Sequence, residues 1–141
     1  MPNMTVGIKL GNITDEIGGS DFFHAFFSTV SGNLERSGWG TRFPTIMHRL
    51  YQGKLHQEHA TDALRELQAI HAELSRLPVS KLIWDIEDRA KRPPWGDNIA
   101  QTITDLGNYF VTSTGRELFP LLREVLEELR DRGGVAEIVT C

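Results

Sequence analysis

Apolar and polar residues alternate loosely over Thr5, Val6, Gly7, Ile8, Lys9 and Leu10, a short run that predicts an N-terminal strand ended by Gly11 and Asn12. Asp15 and Glu16 then fall in a polar stretch closed by Gly18 and Gly19, which reads as a connection. From Ser20 the period becomes helical. Phe22, Phe26 and Val30 recur four apart, and Phe23, Phe27 and Leu34 widen the same stripe, predicting a helix over 20–35. Ser20 suits the N-cap, and Asp21 suits the first turn, where a negative charge favours the helix dipole. Four phenylalanines on one stripe make this helix a central core element, the commoner use of such a face. Gly38 and Gly40, on either side of Trp39, terminate it.

A short helix is expected over 42–51, with Pro44 near its start, where proline is tolerated. A long helix follows over 57–77, its inward positions Ala60, Ala63, Leu64, Leu67, Ile70, Leu74 and Leu77 keeping the helical period until Pro78 stops it. Residues 79–86 have the length and β-branched content of a strand, and 108–112 form a second candidate. Thr114 and Glu117 have capping-box spacing ahead of a helix over 118–130, although Pro120 shifts or bends its start. Residues 135–140 read as a closing strand. The order is approximately β-α-α-α-β-β-α-β, a small β-sheet covered by helices in one domain spanning 1–141, and the fold class is α+β.

Composition narrows the function little. With 141 residues, 40 % apolar and 24 % charged, the chain fits one globular core. No apolar run is long enough to span a membrane, and the N-terminus lacks the pattern of a secretory signal. The single cysteine is the terminal Cys141, which points to a reducing, cytoplasmic setting. A net charge of -4 argues against nucleic acid as the main partner and permits a basic protein.

Candidate chemistry concentrates around the second and third tryptophans, Trp84 and Trp95. Asp85, Glu87, Asp88 and Asp97 lie around a double proline, Pro93-Pro94, followed by Trp95 and Gly96. The prolines stiffen the loop, so its charged groups lose less entropy on meeting a partner. Asp85 and Glu87 on one side of a strand would stand about 7 Å apart, a spacing compatible with acid–base hydrolysis. The competing reading is therefore a small carboxylate-dependent hydrolase or transferase using the Asp85/Glu87/Asp97 region, for which these residues should line a concave pocket. Trp95 either contacts a partner or folds back to plug the core edge. His56, Glu58, His59 and Asp62 crowd the start of the long helix but lack a zinc spacing, and no nucleotide-loop motif occurs, so neither metal nor cofactor is expected.

Several segments together resemble a known family: VGIKLGNITDEIG at 6–18, FFHAFF at 22–27, GWGTRFP at 38–44, WDIED at 84–88, PPWGDNI at 93–99 and NYFVTS at 108–113. They are similar to the immunity protein 70 family of bacterial polymorphic toxin systems. The resemblance implies a cytoplasmic, non-catalytic protein that binds and neutralises a cognate toxin. It carries over no contact residues. On physical grounds the expected contacts are Asp85, Glu87, Asp88, Trp95 and Asp97, an acidic surface suited to a toxin with a basic groove. Lys91 and Arg92 interrupt that acidity. Surplus apolar positions on the last helix leave a homodimer open.

Overall fold

In the computed structural model, which describes residues 4–141, the first strand ends at Gly11 and Asn12 as expected, and the chain folds back across them into a second strand. Residues 1–3, the start of the segment that lacks a secretory pattern, lie outside the described part. β1 (Thr5–Leu10) and β2 (Ile13–Gly19) form an antiparallel hairpin in which Leu10 faces Ile13. Gly11 sits at φ 61°, and among the described residues only glycines have positive φ. That is the pattern of a type II′ turn, where glycine takes the first central position. The connection expected around Asp15 and Glu16 is thus an edge strand, and its charged residues suit an edge.

β4 (Val135–Thr140) pairs with β1, and β3 (Lys54–His56) pairs with β4. The result is one antiparallel sheet in the order β2-β1-β4-β3. Side-chain alternation sorts its two faces. Ile8, Ala136 and Leu55 are fully buried against the helices. Lys9, Glu137 and Lys54 stand opposite one another on the other face, a cross-strand row of alternating charge.

The helical layer consists of α1 (Ser20–Leu34), α2 (Ala60–Leu74) and α3 (Leu118–Arg132). Gly19 caps α1, so Ser20 is its first helical residue rather than its cap. The single helix expected over 57–77 is a 3-10 turn, Gln57–His59, leading into α2. The short helix before it is π-helical, Thr45–Leu50. Two buried carboxylates hold this region. Glu35 accepts the backbone N–H groups of Gly40, Arg42 and Phe43 at 2.9, 3.1 and 3.0 Å. Glu66 accepts those of Thr45 and Ile46 at 3.2 and 2.9 Å, satisfying the first turn of the π-helix. Such charge-assisted bonds offset the cost of burying both side chains.

α3 starts behind Glu117, so Thr114 does not cap it. Pro120 is its third residue, within the first turn, where a missing N–H removes no helical bond. Leu118, Leu121, Leu122, Val125, Leu126 and Leu129 are all buried within the one chain. The apolar surplus on which a homodimer would rest is taken up by the chain's own core. At its centre Phe26 meets Phe27, Phe110 and Phe119 edge-on, with centroids 5.2, 5.2 and 5.3 Å away.

The α+β class and the approximate order hold, but two strands lie elsewhere than expected. Residues 79–86 contain a 3-10 turn, Val79–Lys81, and otherwise run as an irregular strap. The reason lies on α1. Thr29 Oγ1 bonds both the N–H and the carbonyl of Ile83, each at 3.1 Å. Ser28 Oγ accepts the Ile86 N–H at 3.1 Å, and Asn33 Nδ2 donates to the Lys81 carbonyl at 2.9 Å. Side chains of a helix thus take the backbone bonds that a neighbouring strand would otherwise supply. Gly32 permits the close approach, because a Cβ there would lie 2.2 Å from Ile83 Cδ1. Residues 108–112 also form no extended strand. Val111 makes one isolated bridge to Glu117, while Tyr109 and Phe110 turn into the core.

Candidate functional site

Because α1 holds the strap, the residues leaving it have fixed positions. Asp85 emerges beside the middle of α1, half-buried. Its Oδ1 lies 3.3 Å from His24 Nε2 and accepts the Glu87 N–H at 2.9 Å, and its Oδ2 lies 3.6 Å from Lys91 Nζ. His24 Nδ1 is 2.7 Å from the Tyr51 hydroxyl at the end of the π-helix. One arrangement satisfies every atom: Tyr51 O–H donates to Nδ1, and Nε2–H donates to Asp85. Burial raises the Tyr51 phenol above its ordinary value, and the charges of Glu87 and Asp85 add to this, so the hydroxyl stays protonated. The His24 ring also stacks near Trp39, with centroids 6.2 Å apart.

Burial alone would raise the Asp85 carboxyl. The Glu87 N–H, the His24 ring and the Lys91 charge outweigh it and hold the group below its usual 3.8. A carboxyl depressed on folding stabilises the protein above its unfolded value, and the contribution is lost as pH falls through the lower folded value. Asp85→Asn is therefore expected to lower the urea midpoint at neutral pH, with the gap from the parent closing below about pH 4. A gap independent of pH would contradict this.

The other expected residues are distributed around the loop. Glu87, Asp88 and Asp97 are exposed; Asp88 Oδ1 accepts the Ala90 N–H at 3.2 Å. Trp95 is 40 % exposed. Its indole N–H donates to the Tyr109 hydroxyl at 3.0 Å, and its ring meets Trp84 edge-on at 5.3 Å. It is neither a buried plug nor a free side chain: one edge is seated and the other faces outward. A hollow of about 390 Å³ lies beneath the loop, lined by Trp84, Tyr109, Pro93, Lys91, Arg92 and Asp97 among others.

Asp85 and Glu87 do not line this hollow, and the Asp85 carboxyl is depressed rather than raised. The concave three-carboxylate pocket required for hydrolysis is not formed there. Lys91 links the two parts of the loop, pairing with Asp85 while lining the hollow with Asp97. At the start of α2, His59 lies 3.6 Å from Glu58, whereas His56 belongs to β3. Sequence reasoning misses the coupling of Asp85 to His24 and of His24 to Tyr51. These pairs lie 61 and 27 positions apart along the chain, with no shared motif.

Comparison with known proteins adds one finding. The family model described as Immunity protein 70 matches residues 8–138, nearly the whole chain. Searches of curated proteins and of solved structures each found no match.

Proposed function

This chain belongs to the immunity protein 70 family, and from that premise we propose that it binds and neutralises a cognate bacterial toxin domain in the cytoplasm, without catalytic turnover. The family match carries the reading. The loop geometry supports a way of doing it. Exposed Glu87, Asp88 and Asp97 present carboxylates to a basic toxin surface, and Asp85, tied to His24 and Lys91, fixes the base of the loop. Complementary charge speeds encounter and penalises wrong partners. Trp95 offers an aromatic edge already held by Tyr109 and Trp84, so little side-chain entropy remains to be lost when it is covered. No helix among the described residues is long and apolar enough to cross a membrane.

Cells expressing the toxin domain from the adjacent gene should survive when this chain is co-expressed and die without it. Death in both cases, with both proteins present at comparable levels, would reject the proposal.

A further inference from the structure

A wide concavity lies away from the loop, on the seam between α2 and α3. The two helices run antiparallel: Gln57, just before α2, donates to the Arg130 carbonyl near the end of α3 at 3.0 Å. At the other end of the seam, His71 stacks on Phe119 at 4.3 Å. Between these points runs a groove of about 630 Å³, within the range of ligand-binding clefts. Its floor is apolar, with Leu67 and Phe119 buried and Leu64 half-buried. Its rims carry Arg65, Arg123 and Arg130 against one lining carboxylate, Glu127.

This concentration of cations is local, because the chain as a whole carries a net charge of -4. Arg65 pairs with the exposed Asp62 at 3.2 Å, and Arg130 with the exposed Asp131 at 2.8 Å. Both pairs are surface pairs of small individual worth. Arg123 is exposed, lines the groove and has no ion-pair partner among the described residues. The α2 side of the groove spans Leu64 to His71, roughly two turns or about 10 Å. A trough of this length, apolar below and cationic along its rims, is shaped for a chain segment rather than a compact ion.

We propose that the α2–α3 groove docks an acidic, amphipathic peptide segment of a partner protein. Apolar side chains of the segment lie over Leu64, Leu67 and Phe119, and its carboxylates pair with Arg123 and Arg65. The site is separate from the acidic loop and does not depend on the toxin reading of that loop.

The test is an NMR titration of the isotope-labelled full chain with a short capped peptide built from leucine and glutamate at helical spacing. A lysine-for-glutamate counterpart serves as control. The acidic peptide should produce saturable shifts confined to the α2–α3 seam, with Kd below about 1 mM. The basic peptide should produce none. Arg123→Glu, a change at an exposed position, should keep the unfolding midpoint and weaken binding about 10-fold or more. Equal response to the basic peptide, shifts centred elsewhere, or indifference to Arg123→Glu would overturn the proposal. Seam shifts that grow with protein concentration alone would do so too, by identifying the occupant as a second copy.

Discussion

Reversing Glu87, Asp88 and Asp97 together to lysine is expected to weaken toxin binding about 10²–10⁴-fold while leaving the chain folded. All three side chains are exposed, so none of them supports the core. Asp85 is deliberately left in place. A lysine there would face Lys91 and lose the His24 contact, mixing a stability defect with an interface defect. The reversal also changes the sign of the surface that steers the partner, so much of the loss should appear in the association rate. It should shrink as salt screens both proteins. Trp95→Ala provides the apolar counterpart: a several-fold loss that salt does not rescue. Calorimetry at two ionic strengths, with circular dichroism to verify folding, separates these effects. Unchanged affinity in the triple variant would move the interface off this loop.

Phe26→Ala is expected to cost about 3–5 kcal/mol of stability, and to lower the thermal midpoint on the order of 10 °C. Phe26 is fully buried, and three rings contact its own edge-on: its neighbour Phe27 on α1, Phe110 before α3 and Phe119 at the start of α3. Removing it opens a cavity where α1, the 108–112 segment and α3 converge, a place with few ways to collapse. The same substitution should loosen the strap, because α1 supplies Ser28, Thr29 and Asn33 to its backbone. Urea denaturation gives the free energy, and a loss under 1 kcal/mol would contradict the packing described.

Elements with strong periodicity are legible in the amino-acid sequence. The phenylalanine stripe marks α1, the leucine stripe marks α3, and the alternating ends of the chain mark β1 and β4. The less legible elements are those with a weak local pattern or with backbone bonds taken by distant side chains. β2 is obscured because an edge strand can carry Asp15 and Glu16 without penalty, and Gly11-Asn12 serves equally well as a stop or as a hairpin turn. The 79–86 segment has the composition of a strand, yet Ser28, Thr29 and Asn33 on α1 satisfy its backbone, and no local pattern reveals a helix acting in that way. The candidate loop is legible as a cluster because its carboxylates and Trp95 are close in sequence. The His24–Tyr51 anchor behind Asp85 is not, since it is assembled from three separate parts of the chain.

Stoichiometric neutralisation is tested most directly by titrating the purified chain into a fixed amount of its active toxin domain while following toxin activity and binding heat together. Activity should fall in proportion to added protein and vanish at one equivalent, with a one-to-one heat profile and Kd below about 10⁻⁸ M. Full toxin activity at excess chain with no heat, or complete inactivation by a small fraction of an equivalent, would contradict a non-catalytic immunity complex.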